Sequence, residues 1–402
     1  MLTVERIEAA RERIRNLIFE SPLVFTETLS GLTGNSVYLK LENLQMTGSY
    51  KERGALNRLL TLSPEELRRG VIAASAGNHA QALAYHACRR GIACEIWMPV
   101  HTPLIKVSAT RGHGAEVVLH GNTYDDAFEA AVHHGAEAHL TLIHAFDDDE
   151  VIAGQGTLGL EILDQHPSLD ALVVPVGGGG LIGGIASAVK CRRPDVEIVG
   201  VQTVAMPSMQ AAIQAGTPVT LPAQPTVADG IAVRTAGART LELVQKYVDR
   251  IVTVDEEEIA QAILLLVERE KTVAEGAGAA ALAALLAGKS GLHARKVGVL
   301  ISGGNVDVNL LARIIERGLV RDGRRVRVRV CLQDRPGALE RLAATVARQN
   351  ANIIETFYNR QHFGVSLGET AIDMTLETRS GNHARDLLSA LSSAQYDYQL
   401  IS

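Results

Sequence analysis

Cysteine is scarce. The 402-residue chain has four (Cys88, Cys94, Cys191 and Cys331), and no two are spaced as a C-x-x-C pair. This excludes a disulfide framework and a zinc ribbon, and it suits a reducing cytoplasm. Aromatic residues make up only 4% of the chain, with one tryptophan, which argues against stacking platforms for bases. Positive charge is not in excess. The formal net charge is -6, so nonspecific nucleic-acid binding has no electrostatic basis. An apolar leader is not expected either, because residues 4–15 carry Glu5, Arg6, Glu8, Arg11, Glu12 and Arg13. The one uncharged stretch long enough to suggest a membrane span, 171–189, contains Pro175 and six glycines. It reads better as a buried strand, a glycine loop and a buried helix. The expectation is a cytoplasmic protein with neither nucleic-acid nor membrane partners.

What is present is a globular composition, 47% hydrophobic and 21% charged, in a chain long enough for two to three domains. Short β-branched runs at 70–74, 94–98, 115–119, 171–176 and 197–202 alternate with helical stretches at 79–90, 103–111, 124–135 and 181–190. That alternation predicts an α/β fold with a mostly parallel sheet. The longest uniform helical pattern, 256–270, opens on Asp255 as an N-cap. After Gly323 the pattern changes. Arg325, Arg327 and Arg329 alternate with apolar residues as in a half-exposed strand. A helix over 336–349, strands near 352–358 and 370–377, a helix over 383–393 and a strand over 396–401 follow. The order βαββαβ predicts a ferredoxin-like unit. The expected division is a catalytic part at 1–318, a linker at 319–324 and a small domain at 325–402. Within the first, a smaller subdomain spans about 48–145.

The strand at 171–176 runs into Gly177, Gly178, Gly179 and Gly180, then Leu181 and a helix. Four glycines before a helix present free backbone N–H groups at a positive helix end, which suits a phosphate. The same glycines also suit a tight turn with close helix–sheet packing. Gly178-x-Gly180-x-x-Gly183 matches a dinucleotide fingerprint in form, but the next strand ends on Gln202, where a ribose-binding carboxylate belongs. Gly288-Lys289-Ser290 ends like a P-loop, yet Ala283 stands where its first glycine belongs, so Lys289 is expected to be a solvated helix-end lysine.

Three further segments lie at loop-to-helix junctions, where α/β folds gather ligands. They are Thr47-Gly48-Ser49-Tyr50-Lys51, Ser75-Ala76-Gly77-Asn78-His79, and Ser302-Gly303-Gly304-Asn305. With the glycine quartet, these segments resemble, in family order, the pyridoxal-phosphate enzymes of the tryptophan synthase β-like fold, most closely the threonine dehydratase (threonine ammonia-lyase) family. Ser21-Pro22-Leu23 and Leu39-Lys40-Leu41-Glu42-Asn43 agree with this. The resemblance covers about residues 1–318. The tail, with Asp334-Arg335-Pro336-Gly337, resembles an ACT regulatory domain.

The resemblance implies pyridoxal 5′-phosphate as cofactor and Lys51 as its covalent anchor and as the base at Cα. Gly177, Gly178, Gly179, Gly180 and Leu181 would hold the cofactor phosphate, Asn78 the ring 3′-oxygen and Ser302 the pyridine nitrogen. Ser75, Ala76, Gly77, Asn78 and His79 would hold the substrate carboxylate. The implied reaction is loss of the β-hydroxyl from L-threonine, and more slowly from L-serine, ending in a 2-oxo acid and ammonia. The implied role is in amino-acid metabolism, with isoleucine synthesis as one setting. The alternatives are a serine racemase, a 3-hydroxyaspartate dehydratase, or a non-catalytic amino-acid-binding regulator. Racemases of this kind place a serine before the glycine of the asparagine loop, where this chain has Ala76. They also hold a divalent cation through a glutamate and an aspartate, where this chain has Gln202 and Ser208. No metal is therefore expected. His133, His134, His139 and His144 lack a ligand spacing and are expected at the surface. An amino-acid effector at the ACT loop and a homodimeric or homotetrameric assembly complete the expectations.

Overall fold

The computed structural model describes residues 2–359, 366 and 368–401. The chain forms two compact units, Met1–Asp307 and Val308–Ser402.

The first unit contains two sheets. A six-stranded sheet runs in the order Leu23–Thr26, Ser36–Leu41, Lys296–Ile301, Ala171–Pro175, Glu197–Thr203 and Arg250–Val254. Only its first pair is antiparallel. The strand Ala171–Pro175 is buried at every position, as a parallel strand covered on both faces must be. A four-stranded parallel sheet runs Glu116–Leu119, Cys94–Met98, Val71–Ala74 and Thr141–Leu142. Each of these inner strands feeds a helix, so both sheets aim their C-terminal ends at loops. Asp255 caps the helix Glu256–Glu268 through a reciprocal capping box with Glu258.

Of the helices with no counterpart among the expected elements, one is buried almost throughout. Asp149–Gln165 is the longest in the chain among the described residues, and nearly every position from Val151 to Leu163 is buried. It packs on Lys51–Leu60 and on Gly180–Arg192, so it has no polar face to announce it. Among the described residues no helix is long and apolar enough to cross a membrane.

The second unit carries the βαββαβ order: Arg325–Gln333, Ala338–Arg348, Asn352–Asn359, Glu369–Glu377, Gly381–Ser393 and Asp397–Leu400. Its four strands form an antiparallel sheet. Val326, Val328, Val330 and Leu332 point into its core while Arg327 stays exposed. The linker expected at 319–324 is not a free segment. Leu319–Arg321 closes a helix, Val308–Arg321, that lies within this unit. The turn after it is tied by Gly323 N to Val320 O (3.0 Å) and Arg324 N to Leu319 O (2.8 Å). The segment expected as a linker is thus hydrogen-bonded helix end and turn.

Candidate active site

Lys51 opens the helix Lys51–Leu60, reached through Gly48 in the left-handed region (φ 74°). The residues after it anchor this helix start. Glu52 is buried, accepts from Thr47 N and meets His86 Nε2 at 3.2 Å. Arg53, 2% exposed, is bound by two carboxylates. Lys51 itself is half-buried, and its Nζ donates to the main-chain oxygen of Ala145 at 2.8 Å. Burial pulls its pKa down to about 8, although the carboxylate of Glu275 acts in the opposite direction. An amine in that state is available as a nucleophile and base near neutral pH.

The Ser302 loop is stitched to the segment before Lys51. Ser49 and Gly303 form an antiparallel bridge, Tyr50 N donates to Ser302 O (3.1 Å) and Gly304 N to Gly48 O (2.9 Å). Ser302 is buried at the end of the strand Lys296–Ile301. Asn78 opens the helix Asn78–Cys88 beyond the strand Val71–Ala74. Its Oδ1 accepts from Asn305 Nδ2 (2.7 Å) and its Nδ2 donates to Glu275 Oε1 (2.6 Å). The segments that carry Lys51, Asn78 and Ser302, far apart in sequence, are therefore tied together: the Ser302 loop to Gly48–Tyr50, and Asn78 to both through Asn305 and Glu275.

In the same loop, Ser75 Oγ accepts from Gly77 N (3.3 Å) and Ala76 is half-buried. His79 is buried, and its Nε2 lies 3.0 Å from Ile143 O. Burial pushes its pKa down to about 3, so the ring is neutral. What His79 can offer a carboxylate is its main chain at the helix start, not a charged ring. His144, expected at the surface, is half-buried. Its Nδ1 accepts from Phe146 N (3.2 Å) and Asp147 N (2.8 Å), fixing the turn next to Ala145. Sequence spacing alone could not reveal that capping role.

The quartet Gly177–Gly180 links Ala171–Pro175 to the helix Gly180–Arg192, with Leu181 buried in its first turn. Gly179 is left-handed (φ 94°), and no side chain caps the helix start. A Cβ on Gly178 would strike the Phe146 ring, and one on Gly180 would lie 2.7 Å from Phe146 O. Phe146 follows Ala145, the acceptor of Lys51, so the glycine loop borders the same site. Close packing and an uncapped anion-binding end thus coexist here.

Glu275, Asn305, Ser49 and Phe146 had no role in the sequence-based expectation. Glu275 left one signal, being the only charged residue between Lys271 and Lys289. Burial raises its pKa to about 7, helped by Asp229 and opposed by the bond from Asn78. Gln202 and Ser208 are fully buried, with Gln202 Oε1 accepting from Gln210 N (3.0 Å). Among the described residues no group of three or more His, Cys, Asp or Glu is placed to hold a metal.

The site's donors fit a phosphorylated aldehyde. The amine is partly desolvated, the helix start is uncapped, and the buried hydroxyls of Ser49 and Thr47 have no partner. The chain belongs to the pyridoxal-phosphate dependent enzyme family, which it matches over residues 14–303. Its cofactor is pyridoxal phosphate, and its first unit has the type II, tryptophan synthase β-like fold. It is 47% identical to the L-threonine ammonia-lyase of Thermotoga maritima over 100% of both chains. It is 44% identical to that of Geobacter sulfurreducens over 98% of each. Among solved structures it matches the processed form of threonine deaminase isoform 2 from Solanum lycopersicum with a TM-score of 0.73 at 38% identity, over 78% of this chain and 86% of that one. Serine racemase from Dictyostelium discoideum matches with a TM-score of 0.72 at 36% identity, over 76% and 99%.

Proposed function

We infer that the chain is a pyridoxal-phosphate-dependent L-threonine ammonia-lyase, with L-serine as a poorer substrate. The observation that carries the reading is Lys51, an amine of lowered pKa placed where the Ser302, Asn78 and glycine loops converge. Bound pyridoxal phosphate supplies an electron sink that weakens the bonds to the amino acid's Cα and β-hydroxyl. Lys51 would hold the cofactor and, as an amine of lowered pKa, would take the Cα proton of the substrate. The uncapped helix start at Gly177–Leu181 holds the phosphate. Asn78 donates to the 3′-oxygen, and the Ser75–His79 main chain binds the carboxylate. Ser302, a hydroxyl rather than a carboxylate, would donate to the ring nitrogen without forcing its protonation, which favours prompt loss of the β-substituent. Threonine loses water and regains it on hydrolysis, so the net products are 2-oxobutanoate and ammonia.

The likeness to serine racemase makes a second reading explicit. Ala76 supports elimination over racemisation, because it has no proton to exchange on the second face. The decisive assay measures 2-oxo acid release from L-threonine, L-serine and 3-hydroxyaspartate, alongside D-serine formation from L-serine. Threonine should lead, with no D-serine. Loaded enzyme that makes D-serine and no 2-oxobutanoate would overturn the reading.

In the second unit, the 334–338 loop, Leu339, Glu340, Ala343 and Tyr358 line a surface cavity, with Tyr358 Oη donating to Asp334 Oδ1 (3.2 Å). This supports an amino-acid effector site in an ACT domain at 325–402; the assembly we propose is a cytoplasmic homodimer or homotetramer. Titrating activity with isoleucine and with valine, in the full chain and in its Tyr358→Ala variant, tests the site. Mass measurement in solution tests the assembly.

A further inference from the structure

The side-chain amide of Asn78 has two possible orientations, and the structure decides between them. Asn305 Nδ2 donates to Thr47 O (2.7 Å), a main-chain carbonyl that can only accept. That fixes Asn305, whose other Nδ2–H then goes to Asn78 Oδ1 (2.7 Å). Asn78 must therefore turn its Nδ2 towards Glu275 Oε1 (2.6 Å), which accepts. The chain of bonds runs from a backbone carbonyl to a carboxylate with no freedom left in it. Among the described residues, the second Nδ2–H of Asn78 has no acceptor.

Glu275 is not occupied elsewhere. It stands at the N-cap of the helix Gly276–Leu286, but its side chain makes no capping bond. It is 5% exposed, its N–H donates to Gly303 O (3.0 Å), and its Oε1 faces Gly303 and Gly230 closely enough that a Cβ on either would touch it. Burying a carboxylate is costly, and a plain helix start needs none.

We propose that Glu275 is a positioning residue: with Asn305 it clamps the amide of Asn78 so that the remaining N–H is presented to the 3′-oxygen of bound pyridoxal phosphate. This rests on the functional reading above, which places that oxygen at Asn78. The charged groups facing Glu275 are Lys51, Asp229 and Lys106, the last two paired with each other at 2.5 Å. A raised pKa, about 7, does not loosen the clamp, because a protonated carboxyl still accepts on its carbonyl oxygen.

The test titrates pyridoxal phosphate into the apo forms of the full-length chain and follows the visible absorption band and the dissociation constant. Asn78→Ala and Glu275→Ala should each weaken binding by about tenfold and move absorbance from the visible to the near-ultraviolet band. The double variant should be no weaker than Asn78→Ala within about twofold, since the two act as one unit. Glu275→Gln keeps an acceptor oxygen, so it should return to within about threefold of wild type. It also serves where Glu275→Ala folds poorly. A wild-type band and affinity in Glu275→Ala, additive losses in the double variant, or a Gln variant as damaged as the Ala one would each overturn the proposal. Wild-type chain that develops no visible band would instead overturn the functional reading itself.

Discussion

Two polar clusters include residues from the first turn of the helix Lys51–Leu60, and they are built on opposite terms. One is Lys40, Glu42, Arg53 and Glu161. Arg53 donates to both Glu42 oxygens (2.8 and 2.8 Å) and to Glu161 Oε2 (2.7 Å), while Lys40 Nζ meets Glu161 Oε1 and Ser21 O (2.5 Å each). Two cations face two anions, and every charge has a partner. Burial opposes the charge on Glu42, yet Arg53 and Lys40 more than offset it and hold its pKa below the ordinary range. The other cluster is Lys51, Asn78, His79 and Glu275. Here burial wins: Lys51 falls to about 8, Glu275 rises to about 7, and His79 Nδ1, Ser49 Oγ and Thr47 Oγ1 lack partners. A satisfied network fixes a helix. An unsatisfied one holds capacity for a ligand.

The largest effect expected is on chemistry. Lys51→Ala should lower threonine deamination by at least about a thousandfold, measured as 2-oxobutanoate release, because it removes both tether and base. A smaller loss would shift the base to another residue. The satisfied cluster should answer with stability instead. Arg53→Met leaves buried Glu42 without its cation and Glu161 with Lys40 alone, and should cost about 3–5 kcal/mol in urea unfolding. A cost below about 1 kcal/mol would show that the pairing does not hold the helix in place.

The unsatisfied cluster should respond to pH with a definite sign. Glu275, raised above its unfolded value, gives stability that is fully present below about pH 4.5 and lost as pH rises through about 7. Lys51, depressed below its unfolded value, gives stability that is present above about pH 10.5 and lost as pH falls through about 8. Between pH 7 and 8 both therefore burden the apo fold. Glu275→Gln should raise apo stability by about 1–3 kcal/mol at pH 8 and by little at pH 5. An equal gain at both pH values would break the assignment.

The contrast also explains which parts of the site could be read from the chain alone. Lys51, Asn78, the glycine loop and Ser302 each sit in a short local pattern at a strand or loop end before a helix, which is what made them legible. Glu275 and Asn78 are 197 residues apart, and no local spacing encodes their bond. The helix Asp149–Gln165 escaped because all its faces are buried, which erases the 3.6-residue period. Val308–Arg321 escaped for a different reason: the change of pattern after Gly323 drew the boundary to 319–324, across the end of an amphipathic helix. His144 hid its role because its partners are the main-chain N–H groups of its own turn.

The smallest effect sharpens the comparison most directly, because it concerns one hydroxyl in each cluster. Thr157, 1% exposed, donates to Gly154 O (2.7 Å) and accepts from Arg53 Nη1 (3.4 Å). Thr157→Ala removes both of these bonds and should cost about 1 kcal/mol in the apo protein. Ser49, fully buried, has a hydroxyl with no partner, so Ser49→Ala removes an unmet group and should leave apo stability unchanged or raised by up to about 1 kcal/mol. Loaded with pyridoxal phosphate, the order should reverse: the gain in melting temperature on loading shrinks in Ser49→Ala and is kept in Thr157→Ala. If Ser49→Ala instead destabilises the apo chain by more than about 1 kcal/mol, its hydroxyl serves the fold, and the line between the satisfied and the waiting cluster must be redrawn.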